Sequence, residues 1–286
     1  MVSAQRELFA AEHGIAARTV YAGRGEGGDR TLVIDRRCED IVFAELAGMH
    51  AQGHEFTAIS EERGEVAFGD GASPVRIVID PIDGSLNARR MIPAHSLSIA
   101  VAAGPTMADV EYGYVYDFGP DEEFRALRGE GALLDDEPIR AQGPGYGLEV
   151  VGLESARPEV LVPVLEGLAG SVFRVRSVGS IAISLCCVAA GRFDAMLTAR
   201  TSRSVDAAAG QLIAREAGAS VEFGEVPLDR AALALDARYP LSAGLEAQWM
   251  ATLRRAQRMA EPPVERRDVP LADPDDDSAW AGRGTA

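Results

Sequence analysis

Apolar residues recur at helical spacing from Val2 to Ala17, which predicts an opening amphipathic helix. Gly23 to Asp29 is too rich in glycine to continue it and reads as a loop. A second helix is expected over Cys38 to Met49. Arg76 to Ile79 is a short β-branched strand, expected to stop at Asp80-Pro81 because proline cannot donate to a ladder. Ser96 to Ala102, Val110 to Tyr116 and Glu123 to Leu127 follow as strands between Gly/Pro/Asp turns, so the first half predicts an antiparallel sheet.

The texture changes near Leu148. Strands at Leu148 to Leu153, Val172 to Val175, Asp194 to Leu197 and Ser220 to Phe223 alternate with helices at Pro158 to Leu168, Ser180 to Ala190 and Asp206 to Ala217. That is an α/β rhythm. A last helix is expected over Gly244 to Met259. The Gly/Pro-rich segment Gln142 to Gly147 is the expected boundary, giving an α+β subdomain over 1–143 and an α/β subdomain over 144–260. The acidic, proline-bearing tail, 261–286, is expected to be disordered.

Composition narrows the class. The chain has 286 residues, 47% hydrophobic, long enough to bury a large core without disulfide support. Three cysteines make no disulfide framework, and Met1 to Leu8 carries no basic-then-apolar leader, so a reducing cytosol is expected. No apolar stretch reaches the ~20 residues of a membrane span. All 28 basic residues are arginine, which removes lysine Schiff-base chemistry. At a net charge of −16, neither nucleic acid nor an anionic membrane is an expected partner. An anionic ligand would need metal ions or local arginines to offset that field.

The chemistry concentrates in Asp80-Pro81-Ile82-Asp83-Gly84-Ser85, with Ser60-Glu61-Glu62 upstream and Val205-Asp206-Ala207-Ala208-Ala209-Gly210 downstream. Two aspartates either side of a proline turn can converge hard oxygen ligands, with the Ile82 carbonyl between them, as Mg²⁺ prefers. In isolation the same residues would only supply turn and capping hydrogen bonds. Gly84 permits close approach of the backbone, and a helical turn starting at Ser85 would offer free amides to an anion.

These strings resemble the two signatures of the inositol monophosphatase and fructose-1,6-bisphosphatase superfamily. The likeness includes Asn87, Ile92-Pro93, Ser96-Leu97-Ser98-Ile99, Arg176-Ser177-Val178-Gly179-Ser180 and Glu216-Ala217-Gly218. It implies a layered α-β-α-β-α sandwich and a Mg²⁺-dependent phosphomonoesterase with two or three ions, commonly a homodimer. By that resemblance Glu61 bridges the metals, and Asp80, the Ile82 carbonyl, Asp83 and Asp206 complete the protein ligands. Glu62 stands behind them. Ser85 and Asp35 match the hydroxyl–carboxylate pair that orients the attacking water. Asp83, Gly84, Ser85, Gly179 and Ser180 fall on the substrate side.

Plainer roles stand beside these: Asp206 and Asp35 as helix caps, and Arg200 and Arg203 as surface ion-pair partners. Where animal-type inositol monophosphatases place a glutamate on inositol hydroxyls, the aligned residue is Thr198. Arg200 and Arg203 ahead of Val205-Asp206 resemble archaeal-type enzymes acting on both inositol phosphate and fructose bisphosphate, and guanidinium forks suit a second phosphate. Two other readings remain, a nucleotide 3′-phosphatase acting on phosphoadenosine phosphate and a non-catalytic metal-binding homologue. The former relatives usually carry Lys-Gly after the core motif, against Leu86-Asn87 here. His50 and His54 lack a third zinc ligand, Cys186 and Cys187 read as packing residues, and His95 as structural.

Overall fold

The computed structural model describes residues 1–12, 14–24, 26, 30–143, 145–154 and 158–260. The first half holds α1 (Val2–Ala11), α2 (Ile15–Arg18), β1 (Tyr21–Arg24), β2 (Arg30–Leu32), α3 (Val33–Ala51), β3 (Phe56–Ser60), β4 (Gly64–Phe68), β5 (Arg76–Asp83) and α4 (Ser85–Arg90). It continues through β6 (Ser96–Ala102), β7 (Val110–Asp117), β8 (Glu122–Leu127), β9 (Gly131–Leu134) and β10 (Glu137–Ile139). The second half holds β11 (Leu148–Glu154), α5 (Pro158–Leu168), β12 (Val172–Arg176), α6 (Ile181–Ala189), β13 (Ala195–Arg203), α7 (Ser204–Glu216), β14 (Ser220–Glu222), β15 (Arg238–Gly244) and α8 (Met250–Met259). The tail 261–286 and most of the Gly23–Asp29 loop lie outside the described residues.

An eight-stranded sheet runs β10-β9-β8-β7-β6-β5-β3-β4, and a five-stranded one β12-β11-β13-β15-β14. The first is antiparallel except where β3 and β5 run parallel. In the second, β11 is parallel to β12 and β13, while β15 is antiparallel to β13 and β14. Both faces of the large sheet are covered. Ile77 and Ile79 of β5 pack with Val42, Phe43 and Leu46 of α3, while Val78, one residue out of phase, joins Leu185 of α6 and Leu212 of α7. On the far face of the small sheet, Val160 and Val164 of α5 meet Leu253 of α8. The order is therefore α3, sheet, α6/α7, sheet, α5/α8, the expected α-β-α-β-α layering. The largest core draws on both sides of the Gln142–Gly147 segment.

Several expectations change. The opening helix ends at Ala11, and a separate turn of helix starts after Gly14, which sits at φ +95°. The loop expected from Gly23 is entered later, because β1 runs to Arg24 and pairs with β2. The strand expected to stop at Ile79 continues to Asp83. Asp80 pairs with Ser98 and Asp83 with Ser96, so β5 carries one extra residue there. Pro81 sits in that bulge, where a missing N–H costs no ladder bond, and the bulge re-aims the flanking side chains. Finally, the helix expected from Gly244 begins only at Met250, as α8, because Gly244 ends β15, an interior strand of the small sheet. Pairing with β13 and β14 overrides local preference. β13 in turn runs past Leu197 to Arg203, through a register shift, and delivers the chain to the start of α7. Among the described residues no helix is long and apolar enough to cross a membrane.

Candidate metal and phosphate site

Three elements converge at the bulge in β5. Glu61 opens the turn after β3, Asp80 lies on β5, and Asp206 is the third residue of α7. Each offers a carboxylate oxygen, and these atoms lie within 4.8 Å of one another. Asp80 Oδ1 accepts from the Ile82 amide at 3.0 Å. Asp206 Oδ2 accepts from the Arg203 amide at 3.2 Å, the bond by which an acid in a first helical turn satisfies an exposed donor. The capping role and the site role are thus carried by one side chain. Asp83 is buried beside this triplet, but its Oδ2 accepts from the Ser180 hydroxyl at 2.7 Å and the Ala182 amide at 2.6 Å, tying β5 to the start of α6. The Ile82 carbonyl accepts from Ser85 Oγ at 2.9 Å.

Crowding like charges away from water raises every carboxyl pKa in the group. Burial, then Asp83, Glu61 and Asp206, push Asp80 well above the carboxylate range. Burial, Asp206 and Glu62 do the same to Glu61. Asp83 is raised to about 8, by burial and then Asp206, against the hydrogen bonds from Ser180 and Ala182. Burial also raises Asp206, opposed by the Arg203 guanidinium and amide and by Arg238. An all-oxygen anionic set of this kind, Asp80 buried and Glu61 and Asp206 half-buried, fits Mg²⁺, whose charge would offset the repulsion. The Arg203 guanidinium, largely buried, forms an ion pair with Glu61.

Asp35 is the third residue of α3 and caps it, Oδ2 accepting from the Leu32 amide at 3.1 Å. Among the described residues its buried Oδ1 has no hydrogen-bond partner. Burial raises its pKa to about 6, while the Leu32 amide, Arg89 and Ser85 pull the other way. Gly84, at φ +94°, starts α4; a Cβ there would stand 2.9 Å from the Ala94 carbonyl oxygen and 3.1 Å from that of Gly179. Asn87 Nδ2 donates to the Ala94 and Val178 carbonyls, both at 2.7 Å, stitching the Gly84 and Gly179 segments together. Ser180 caps α6 through the Ile183 amide.

Other sequence candidates fall outside the triplet of Glu61, Asp80 and Asp206. Arg200 is exposed on β13. Thr198 is buried, its hydroxyl accepting from the Leu241 amide at 3.0 Å, so β15 occupies that hydroxyl. His50 Nδ1 lies 3.0 Å from the His54 carbonyl. His95 stacks on Phe118, its pKa lowered to about 4, chiefly by burial. Cys186 is buried and Cys187 partly so.

Among the buried acids that the sequence reading does not single out, two brace the segments around the site. Glu39 accepts from the Ser60 hydroxyl and from the Arg63 amide at 3.2 Å, gripping both ends of the turn that carries Glu61. Its one sequence signal is its place four residues after Asp35, on the same helix face. Glu154, at the end of β11, accepts from the amides of Val178 at 3.0 Å and Gly179 at 2.9 Å and from Ser184 Oγ at 2.6 Å. Glu154→Gln turns one acceptor into a donor facing these amides and is expected to cost about 2–4 kcal/mol in denaturant unfolding. A loss under ~0.5 kcal/mol would mean that Glu154 does not hold the Gly179 segment.

Comparison with known proteins agrees with this geometry. Residues 4–243 match the inositol monophosphatase family. The fructose-1,6-bisphosphatase/inositol-1-monophosphatase of Thermococcus kodakarensis is 36% identical over 200 residues, 70% of this chain and 72% of that one. The inositol-1-monophosphatase of Mesorhizobium japonicum is 36% identical over 202 residues, 68% of this chain and 72% of that one. A solved inositol monophosphatase-fructose 1,6 bisphosphatase superposes with a TM-score of 0.76 at 26% identity, covering 88% of this chain and 94% of that one. The chain, with its acidic cluster set in this layered fold, belongs to the inositol monophosphatase family.

Proposed function

We propose that this protein hydrolyses a small sugar or polyol phosphate, inositol 1-phosphate or fructose 1,6-bisphosphate or both, with Mg²⁺. The observation that carries the reading is the convergence of Glu61, Asp80 and Asp206 within 4.8 Å. With the Ile82 carbonyl and Asp83 they form the proposed protein ligands for two or three ions. Bound cations would polarise the phosphoryl oxygens and lower the pKa of the attacking water.

The chain's own residues do the positioning. The backbone at Gly84 and Ser85 would hold the phosphate, and glycine is required at position 84 because a side chain there would collide with the Ala94 and Gly179 carbonyls. Gly179 and Ser180 close the other side. Asp35, with one buried oxygen unpartnered among the described residues and a pKa near 6, is suited to take a proton from water through Ser85, while Glu61 would help to hold the ions. The oxygen of water bonds to phosphorus, the phosphorus–oxygen ester bond breaks, and the sugar alkoxide leaves with a proton. Arg200 and Arg203 are the proposed contacts for a second phosphate. The free cysteines fit a reducing cytosol, and a homodimer is the proposed assembly.

Phosphate release from inositol 1-phosphate, fructose 1,6-bisphosphate and phosphoadenosine phosphate, with Mg²⁺ and with chelator, tests the reading. Release from either of the first two, lost with chelator, is expected. Preference for phosphoadenosine phosphate would move the assignment to a nucleotide 3′-phosphatase, and no release from any would leave a non-catalytic homologue.

A further inference from the structure

We propose that Arg238 is a specificity-determining residue, cradling with Arg203 a second phosphate on the substrate. The proposal rests on the phosphatase reading and adds a residue to it. Arg203 and Arg238 stand directly opposite each other on the antiparallel β13/β15 ladder. Side chains so placed share one face of the sheet, with Cβ atoms about 4.5–5.5 Å apart. The register there is pinned by the next pair, Ser202 and Tyr239, with Ser202 Oγ donating to the Tyr239 carbonyl at 3.3 Å.

Like charges directly opposed in a ladder repel, and an anion between them relieves the cost. Arg203 reaches inward to Glu61, and only 11% of its side chain is exposed. Arg238 is exposed to solvent beside it. The pair therefore spans the acidic cluster at one end and open solvent at the other. Both groups are close enough to act on Asp206: the Arg203 and Arg238 charges each favour its ionised form, and Arg238 in turn disfavours the charge on Arg203.

The surroundings make such a cation useful. The chain carries a net charge of −16, so a bisphosphate approaches against repulsion except where guanidinium groups reverse the local field. A planar guanidinium binds phosphate through two parallel N–H donors, which a flexible or neutral side chain does not reproduce. With the scissile phosphate over Glu61, Asp80 and Asp206, a second phosphate directed along the ladder meets Arg203 and then Arg238. A monophosphate such as inositol 1-phosphate makes no such contact.

Steady-state kinetics of Arg238→Gln and Arg200→Gln on fructose 1,6-bisphosphate and inositol 1-phosphate test this, together with calorimetric titration of the bisphosphate and of Mg²⁺. Arg238→Gln is expected to lower kcat/KM for the bisphosphate at least ~10-fold more than for the monophosphate. The loss should fall mainly on KM, with a matching loss of bisphosphate affinity and a Mg²⁺ affinity within about 3-fold of wild type. Arg200→Gln, at the other proposed contact for the second phosphate, should discriminate in the same sense. Equal losses on both substrates, or discrimination by Arg200→Gln and not by Arg238→Gln, would overturn the proposal while leaving the phosphatase reading intact. Cleavage of inositol 1-phosphate with no binding of the bisphosphate would overturn it as well. A wild-type protein that releases phosphate from neither ester would remove the phosphatase reading and this one with it.

Discussion

Asp80→Asn is expected to lower phosphate release at least ~10²-fold and, in the same protein stripped of metal, to raise the melting temperature. Asp80 is buried, and its repulsive neighbours are Asp83, Glu61 and Asp206. An asparagine keeps an oxygen for the Ile82 amide, which donates to Asp80 Oδ1, while removing the charge that burial penalises. Folding therefore gains where turnover loses: an anionic oxygen is missing from the set that would hold the cations, at a cost of several kcal/mol in the transition state. Such opposed effects mark a site whose strain serves the reaction. Scanning calorimetry in chelator, beside phosphate release in Mg²⁺, reads both. A variant that melts below wild type in chelator while turning over at the wild-type rate would show that the acids do not form one functional cluster.

How far this arrangement is legible in the sequence depends on the range of the interaction. The Asp80-Pro81-Ile82-Asp83-Gly84-Ser85 string is local and dense, and it announces itself. What the proline does is not local: Pro81 alone reads as a strand end, and only the Ser96–Ser98 partner positions reveal a bulge. Asp35 and Asp206 read equally as caps and as site acids because both satisfy an N–H at a helix start, and Asp206 does so beside Glu61 and Asp80. Glu39 and Glu154 were invisible because their partners are backbone amides and hydroxyls more than twenty residues away, and an isolated acid in a helix or at a strand end carries no pattern. The Arg203–Arg238 pairing was hidden because β15 went unread: the expected last helix began at Gly244, inside that strand. A strand between two others can consist of residues with little intrinsic β preference, since partner strands supply what propensity does not.

The metal-stripped wild-type protein is expected to lose thermal stability as pH rises from about 5 to 8, and saturating Mg²⁺ is expected to flatten or reverse that slope. The sign follows from which state holds more protons. Asp83 is raised to about 8 and Asp35 to about 6 in the fold, whereas both titrate near 3.9 in an unfolded chain. Between those values the folded protein keeps protons that the unfolded chain has released. The stability these groups contribute is complete below about pH 4 and is lost as pH climbs through the folded values. The Glu61–Arg203 ion pair and the Ser180 and Ala182 hydrogen bonds to Asp83 moderate the loss but leave Asp80, Asp83 and Asp206 facing one another. A fall in melting temperature of at least about 5 °C between pH 5 and pH 8 in chelator corresponds to a few kcal/mol for a chain of this size. Mg²⁺ must displace the same protons, so its stabilising shift should grow with pH. Asp83→Asn, which removes the acid raised to about 8, should flatten the profile in chelator. A profile already flat in wild-type protein, or a Mg²⁺ shift as large at pH 5 as at pH 8, would show that these carboxyls are not the buried, proton-holding set from which the site is built.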